Sequence, residues 1–410
     1  MTPEERATIA YLREPQAIRD RCQQLFTFCQ ADKLDYFACD LNRLEAVADY
    51  VVETTQQLYP EFDIPFHSRW RHFDAGGTPR LAQLQESFRY LSVDAAARSQ
   101  LDLAIVSVLL DAGAGSLWRY YDQETDQVLG RSEGLAIASL HAFQRGTFSS
   151  QPESPYQVDA AGLQALTTRD LVEVFQVSAD NPLVGLAGRL TLLQQLGQTL
   201  AAQPQRFGAD CPRPGALLNY WQALYGGVLD ARQLLTEVLA SFGDIWPGRT
   251  AIADTNLGDV WPHPALPQTA PGSDLVPLHK LSQWLTYSLV EPLQFSGLEV
   301  VNLNALTGLA EYRNGGLCVD LGLLIPKQTV VTEQAHLPDS PLVVEWRALT
   351  IVMLDLIGDR VRQKLHKTPE ELPLIKVLEG GTWAAGRRIA KQRRATGSPP
   401  IAIQSDGTVF

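Results

Sequence analysis

The sequence is poor in cysteine, and its few cysteines are scattered. The 410 residues hold five, an odd number, with no CxxC pair and no Cys/His cluster at zinc-finger spacing. Cys22 and Cys29 lie two turns apart on a predicted helix, which is too far for a disulfide. We therefore expect reduced, buried thiols and no bound metal.

Basic residues are also scarce. Lys and Arg total 34 against 46 Asp and Glu, a net charge of −12. Because nucleic-acid affinity comes largely from Lys and Arg that neutralise phosphates, this charge argues against a nucleic-acid partner and against an anionic membrane. The sequence has no run of about 18 apolar residues, the length of a membrane span. Thr2-Pro3-Glu4-Glu5 predicts a helix start, and the stretch has no apolar secretory core. We expect a cytoplasmic enzyme that acts on a small molecule.

Helical periodicity dominates the chain. Apolar residues recur periodically in Leu41–Val52, Leu183–Leu200, Leu217–Leu239, Leu278–Leu293, Leu342–Leu365 and Trp383–Arg394. Leu101–Leu110 is apolar on nearly every side, as expected of a helix buried within a domain. Strand-like alternation is confined to Cys318–Ile325, Thr329–Thr332 and Ile401–Ile403. The pattern predicts a mainly α, compact multi-helix fold with minor short β elements. One long segment, Trp246–Ser273, is rich in proline and glycine yet carries ionisable and aromatic residues, so we expect an ordered loop over a site.

The motifs HExxH, GxSxG and the Walker pattern are absent, so we turn to local clusters of polar, aromatic and glycine residues. The segment Phe66–Arg80 is either a solvated loop with a Trp anchor or part of a site. In Asp111–Tyr121 a buried helix ends on Asp111, and Trp118 follows a glycine turn. That turn forms either a stacking wall for a planar ligand or a helix cap followed by core aromatics.

Two charged residues stand out in the second half. Lys280 lies on a mostly apolar helical stripe together with Trp284, although Lys is rarely buried without a partner. Glu311 begins the segment Glu-Tyr-Arg-Asn-Gly-Gly. Lys280 and Glu311 are either catalytic or one structural ion pair. Further on, Gly380-Gly381-Thr382-Trp383 indicates a helix start, which serves either as an anion seat or as an ordinary N-cap with a solvated basic face.

These blocks, in this order, resemble the uracil-catabolism protein 4 family of fungi and bacteria. The most specific ones are HKLSQWLTYSLVEPL (279–293), LTGLAEYRNGGL (306–317), VVEWRALT (343–350) and LEGGTWAAGRR (378–388). The resemblance spans nearly the whole chain. It therefore favours a single helical domain, 1–410, over two lobes, 1–150 and 151–410. The family belongs to a uracil-degradation route that proceeds through ribosylurea-type intermediates and ends in urea, but the resemblance does not assign the individual step.

The chain also resembles, more distantly, the queuosine-nucleotide N-glycosidase (queuine salvage) family in its block order. That family is helical, similar in fold to DNA glycosylases, and cleaves a ribose–base nitrogen bond without a metal. A Lys-containing helix block matches 279–283, an Asp-Tyr-Arg matches Glu311–Arg313, and a Glu-x-Arg matches Glu345–Arg347. Here the Asp is replaced by Glu311 and the base-stacking Phe residues are missing. The departures suggest a smaller leaving group.

Together the two resemblances imply a metal-independent N-glycosidase that splits ribosylurea or its 5′-phosphate into urea and a sugar. Such a reaction needs a carboxylate at C1′ and a donor for the departing nitrogen. The implied catalytic residues are Glu311, Lys280 and Asp111. The implied substrate-binding residues are Trp118, Glu133, His279, Trp284, Tyr312, Arg313, Glu345, Arg347, Trp383 and Arg387. Asp111 and Glu133 would hold ribose hydroxyls or urea N–H groups, and Arg313, Arg347 or Arg387 a 5′-phosphate.

Two other functions stay open. One is an amidohydrolase or deaminase acting on another ring-opened pyrimidine, a class that favours a metal, whose ligand cluster the sequence lacks. The other is a non-catalytic nucleotide-binding or regulatory protein of the same route. We expect no cofactor, a ribosyl or ribosyl-phosphate ligand, and a homodimer as one assembly to test.

Overall fold

We describe the fold from a computed structural model, which covers residues 1–246 and 249–404. The mainly α fold class is confirmed. In chain order the helices are α1 (Pro3–Leu12), α2 (Pro15–Gln30), α3 (Leu44–Leu58), α4 (Trp70–Phe73), α5 (Arg80–Ser87), α6 (Val93–Leu109), α7 (Arg131–Gln144), α8 (Ala160–Ala165), α9 (Thr168–Val174), α10 (Leu186–Ala202), α11 (Pro204–Phe207), α12 (Leu217–Tyr225), α13 (Ala231–Phe242), α14 (Lys280–Phe295), α15 (Tyr312–Asp320), α16 (Val330–Glu333), α17 (Pro341–Leu365), α18 (Leu374–Val377) and α19 (Trp383–Arg393).

The strands are short and pair in twos. They are β1 (Phe37–Cys39), β2 (Tyr120–Asp122), β3 (Gln127–Leu129), β4 (Val228–Asp230), β5 (Ala251–Ile252), β6 (Thr255–Asn256), β7 (Val260–Pro262), β8 (Leu275–Pro277), β9 (Glu299–Val301), β10 (Leu324–Pro326), β11 (Ala335–His336) and β12 (Ala402–Ile403). The pairs β1–β10, β2–β3, β5–β6 and β7–β8 are antiparallel, whereas β4–β9 and β11–β12 are parallel. Such ladders tie loops to helices and do not build a sheet core.

The contacts divide the chain into two compact units, which we describe separately. The described residues of unit 1 are 1–67, 249–283 and 302–404, and those of unit 2 are 68–246 and 284–301. Residue 150, the boundary that the two-lobe alternative used, lies inside unit 2. No helix among residues 1–246 and 249–404 is long and apolar enough to cross a membrane.

In unit 1 the long helix α17 packs against α2 and α3, and α15 packs against α19. The N-terminal prediction is confirmed, because Thr2 and Glu5 form a capping box at the start of α1. Residues 249–273 of the Pro/Gly-rich segment belong to this unit. Its Ile252, Leu257 and Val260 are buried with Ile9 and Leu12 of α1.

Unit 2 is centred on α6, which is buried on nearly every face from Ala96 onward, as the apolar run at 101–110 predicts. Helix α7 packs on α6, and α10 packs on α8. The stretch Leu217–Leu239, predicted as one helical run, is broken. Gly226 has a φ of +71°, α12 ends before it, β4 pairs with β9, and Asp230 then caps α13.

The three predicted strand segments have different outcomes. Ile401–Ile403 is confirmed in part by β12. In Cys318–Ile325 the first residues belong to α15, and only the end enters β10. Thr329–Thr332 was predicted wrongly, since it lies largely in the helix α16. Its β-branched residues favour a strand, but a strand needs a partner, and the neighbouring β11 takes the pairing with β12.

Candidate functional site

Glu311 lies at the start of α15 in unit 1. Its carboxylate caps the helix, because Oε2 accepts from the Arg313 N–H at 2.7 Å and Oε1 from the Asn314 N–H at 2.6 Å. Burial raises the pKa of Glu311, and the two N–H donors and the positive charges of Lys280 and Arg313 only partly oppose it. The result is a buried, rigidly oriented carboxylate that is more basic than an ordinary glutamate.

Lys280 is the first residue of α14 and is half-buried. The positive charge of Lys280 acts on Glu311. The sequence left open whether these two residues are catalytic or form a structural ion pair. The backbone of Lys280 is held by Asp259, whose Oδ2 accepts the Lys280 N–H at 2.9 Å. The start of α14 is therefore fixed by a carboxylate from the long Pro/Gly-rich segment.

The carboxylate of Asp259 contacts several residues of this region. It receives both Nη groups of Arg347, at 2.8 and 2.7 Å, and the indole N–H of Trp261 at 2.6 Å. Burial works against the charge, but the Arg347 guanidinium and these hydrogen bonds outweigh it and lower the pKa of Asp259 to about 2. The Nε of Arg347 also donates to the carbonyl of Ala310 at 3.4 Å. The Asp259–Arg347 ion pair is thus hydrogen-bonded to the backbone N–H of Lys280 and to the carbonyl of Ala310, the residue before Glu311.

His279 and Glu345 make contacts that hold the fold. The Nε2 of His279 lies 2.8 Å from the Leu12 carbonyl, and burial lowers the pKa of this imidazole, so it is neutral near pH 7. The Oε1 of Glu345 accepts the backbone N–H groups of Tyr36 and Phe37 at 3.2 and 2.7 Å. At least one polar side-chain atom of each of these two predicted binding residues is therefore hydrogen-bonded to the main chain.

The remaining predicted residues of unit 1 lie on α15 and α19. Arg313 is buried, donates to the Gly397 carbonyl at 3.0 Å, and has its guanidinium 5.5 Å from the ring centroid of the half-buried Tyr312. On α19 the guanidinium of Arg387 lies 5.6 Å from the ring centroid of Trp383, and both side chains are half-buried. The close packing of α15 and α19 brings these two groups into one region of the unit.

The predicted helix start at Gly380-Gly381-Thr382 is contradicted. A π-helical turn, Leu378–Thr382, joins α18 to α19 without a break, and the Trp383 N–H donates to the Leu378 carbonyl. The two interpretations from the sequence, an anion-binding site and an ordinary N-cap, both require a helix that starts at these residues. The glycines serve packing, since a Cβ at Gly381 would lie 2.5 Å from Val51.

In unit 2, Asp111 is buried and paired with Arg69, whose Nη1 lies 3.0 Å from Oδ2. Glu133 lies in the first turn of α7, and its charge acts on the same Arg69. The segment 66–80 is thus not the solvated loop that one alternative predicted, because Arg69, Trp70 and His72 are all buried.

The two tryptophans of unit 2 that were predicted to bind substrate, Trp118 and Trp284, are both buried. The indole of Trp118 donates to the Phe175 carbonyl at 2.8 Å and packs edge-on against the Phe175 ring. Trp284 lies beside His72, with ring centroids 5.7 Å apart. Trp118 therefore has the contacts of a core residue, which was the alternative to the stacking wall. The ligand contacts predicted for the residues of either unit stay predictions.

Sequence reasoning missed two residues. Asp259 was noted in the long segment and Arg69 in the segment 66–80, but neither was assigned to the site. In both cases the signal was a charged residue one or two positions from a Trp in a stretch without periodicity, which is also typical of a surface loop. Among residues 1–246 and 249–404, no group of three or more His, Cys, Asp or Glu side chains could hold a metal ion.

Comparison with known proteins identifies relatives along the whole chain. Residues 11–410 match a family described as "Protein of unknown function (DUF1688)". Protein urg3 of Schizosaccharomyces pombe is 42% identical over 412 residues, which cover 98% of this chain and 99% of that protein. Uracil catabolism protein 4 of Lachancea kluyveri is 35% identical over 441 residues, with 98% and 99% covered.

These relatives confirm the family that the blocks between 279 and 388 predicted. The more distant resemblance to queuosine-nucleotide N-glycosidases stays a prediction. The chain therefore belongs to the DUF1688 family.

Proposed function

We propose that the chain is a hydrolase of uracil catabolism that cleaves the ribose–nitrogen bond of ribosylurea or its 5′-phosphate. The name of the Lachancea kluyveri relative, Uracil catabolism protein 4, supports the pathway. The observation that carries the reaction type is the buried carboxylate of Glu311, held by two backbone N–H groups and accompanied by the charge of Lys280.

The reaction replaces the C1′–N bond by a C1′–O bond. Water adds its oxygen to C1′, the C1′–N bond breaks with its electron pair going to the urea nitrogen, and the proton lost by water balances the proton gained by urea. Positive charge builds up at C1′ on the way, as in glycoside hydrolysis. The protein must stabilise that charge, accept the proton of water and supply one to the leaving nitrogen.

Glu311 suits the first two tasks. Its negative charge stabilises an oxocarbenium-like C1′, and in a buried setting that interaction is screened little by water. Because burial raises the pKa of Glu311, its carboxylate is also a better base towards water than an exposed glutamate. The two N–H donors fix its orientation, so no reorganisation is needed when charge develops.

Lys280 suits the role of partner. Its charge opposes the effect of burial and so favours the ionised form of Glu311 at neutral pH. An ammonium group is also a proton donor for the departing nitrogen. Asp259 and Arg347 hold the backbone on which each of these residues stands, and we assign them a positioning role.

For a 5′-phosphate the proposal uses Arg387. Arg387 lies half-buried over Trp383, where a guanidinium can grip an anion while the ring supports its face.

The test is product analysis with synthetic ribosylurea and its 5′-phosphate. The proposed reaction releases urea and ribose or ribose 5′-phosphate in equal amounts. Release of ammonia without urea would favour the amidohydrolase alternative instead. Binding of either compound without any product would favour the regulatory alternative, and both outcomes would overturn the proposal.

A further inference from the structure

Gln283 lies on the first turn of α14, three residues after Lys280, and is fully buried in unit 1. Residues three apart on a helix are neighbours on its surface, so Gln283 and Lys280 share a side of α14. Both ends of the Gln283 amide are hydrogen-bonded. Nε2 donates to the Thr307 hydroxyl at 2.8 Å and to the Leu278 carbonyl at 3.3 Å, and Oε1 accepts the Thr307 N–H at 3.0 Å. The amide therefore joins α14 to the segment that leads into Glu311.

That segment, residues 306–311, is buried throughout and lies outside the helices and strands. Buried backbone without a helix or a ladder must find other partners for its N–H and C=O groups. Gln283 supplies such a partner to Thr307, and it suits the task because a carboxamide both donates and accepts. A methionine has nearly the same length but can do neither.

A second link between α14 and this segment runs through the Asp259–Arg347 ion pair. The pair is hydrogen-bonded to the backbone N–H of Lys280 and to the carbonyl of Ala310. The segment is thus attached to the start of α14 at two places, Thr307 and Ala310. One attachment would let it pivot, whereas two fix its direction as well as its distance. The interaction between two charges depends on that distance.

The turn that enters α14 is strained. His279 is not a glycine, yet its φ is +46°, and such a backbone persists only where its surroundings hold it. The Asp259 carbonyl accepts the N–H groups of Leu278 and His279 at 2.9 and 3.2 Å, and Gln283 binds the Leu278 carbonyl. Loss of the Gln283 amide therefore lets this turn relax and moves Lys280, the next residue.

We propose that Gln283 is a positioning residue, which holds the first turn of α14 against residues 306–311 and so fixes Lys280 relative to Glu311. It acts through these two residues and is not itself catalytic. Its effect on the rate rests on the proposed function. The placement of the two charges can be measured without turnover.

The experiment measures the pKa of Glu311 by carbon-13 NMR of the glutamate carboxyls in the full chain, with E311Q to assign the signal. Lys280 and Arg313 carry positive charges that lower this pKa. In Q283M, Lys280 is no longer held in place, so the pKa of Glu311 should rise. K280M should raise it as well, and by less in the Q283M background than in the unaltered one, because residues that act through one contact are not additive.

The kinetic counterpart uses ribosylurea and its 5′-phosphate as substrates. In Q283M, kcat should fall about 10- to 100-fold while KM changes less than about three-fold, as expected when reacting groups are displaced and binding contacts remain. An unchanged kcat in Q283M would overturn the proposal. No urea from the unaltered chain would contradict the proposed function alone, and the NMR titration would still decide the role of Gln283.

Q157M is the matched control. Gln157 is buried in unit 2, and its amide likewise donates and accepts, to Asp159 at 3.2 Å and from Arg213 at 3.3 Å. Q157M should leave the pKa of Glu311 and the effect of K280M unchanged. If circular dichroism shows that Q283M is not folded, T307V, which removes only the hydroxyl, decides in the same way with smaller effects. An unchanged pKa of Glu311, or an equal effect of K280M in both backgrounds, would overturn the proposal.

Discussion

Arg347 and Asp259 form a two-pronged ion pair that joins α17 to the loop before β7, with Nη1–Oδ1 at 2.8 Å and Nη2–Oδ2 at 2.7 Å. The same pair reaches both residues to which we assign the chemistry. Asp259 accepts the backbone N–H of Lys280, and Arg347 donates to the carbonyl of Ala310, next to Glu311. The long Pro/Gly-rich segment therefore acts on the candidate site by fixing main chain.

Asp259 should make the chain sensitive to acid. Its pKa falls from 3.8 in the unfolded chain to about 2 in the folded one, so the unfolded chain takes up a proton first as the pH drops. About 2 kcal/mol of stability at pH 7 is then lost between about pH 4 and pH 2. Denaturant unfolding at a series of pH values should show this loss in the unaltered chain and not in D259N.

Asp102 provides the control for Asp259, because it is also buried and paired with an arginine, Arg213, yet burial raises its pKa. D102N should therefore keep the loss of stability below pH 4. An equal acid sensitivity in D259N and the unaltered chain would show that the ion pair does not contribute as described.

Lys280 should set the pH at which Glu311 ionises. Burial raises the pKa of Glu311 and the charge of Lys280 opposes that rise, so removing the charge lets the pKa increase further. In K280M the acid limb of the pH–rate profile should move to higher pH, with a lower plateau. K367M removes an exposed lysine paired with Glu371 and should leave the limb in place. If the acid limb does not move in K280M, the charge of Lys280 does not influence the ionisation of Glu311 as described.

The contact between α15 and α19 rests on a glycine. A Cβ at Gly386 would lie 2.2 Å from the Arg313 carbonyl oxygen, so Gly386→Ala must push the helices apart. We expect it to lower the free energy of unfolding by about 1–3 kcal/mol. At Gly227 a Cβ would meet nothing within 4 Å, so Gly227→Ala is the control with little change. Equal stabilities in denaturant unfolding would contradict the packing.

Ionisation of Glu311 should lower the free energy of unfolding of the chain. Its folded-state pKa is raised, so protonation stabilises the fold, and this contribution is lost as the pH rises through the pKa. The stability of E311Q relative to the unaltered chain should therefore improve from about pH 4.5 to pH 7. D159N is the matched control, because it also replaces a buried helix-capping carboxylate by an amide that keeps a capping oxygen. A relative stability of E311Q that does not improve over this range would contradict the raised pKa.

The helices were predictable because their signals are local. Apolar spacing located α10, α14 and α17 to within a few residues, and it found only the C-terminal half of α6, Val93–Leu109. The capping residues Thr2 and Glu5 located the start of α1. The break at Gly226–Gly227 was missed, since apolar residues on both sides continue the period. The π turn at 378–382 was also missed, because Gly-Gly-Thr favours a helix start unless tight packing, here against Val51, demands small residues.

The candidate site was predictable only in part. Lys280 and Glu311 stood out as charges within apolar blocks, and both resemblances covered them. Asp259 and Arg69 owe their importance to partners 88 and 42 residues away, Arg347 and Asp111. No local pattern encodes such a pairing. The same limit applies to Trp118, whose aromatic ring beside a glycine turn fits a ligand wall and a core equally well in sequence.

The most direct measurement is the initial rate of urea release from ribosylurea 5′-phosphate by the unaltered chain, E311Q and D159N. We predict release by the unaltered chain and by D159N, and a rate at least about 100-fold lower for E311Q, as expected for removal of a catalytic carboxylate. No urea from the unaltered chain with either the phosphorylated or the free substrate, or equal rates in E311Q and D159N, would contradict the account.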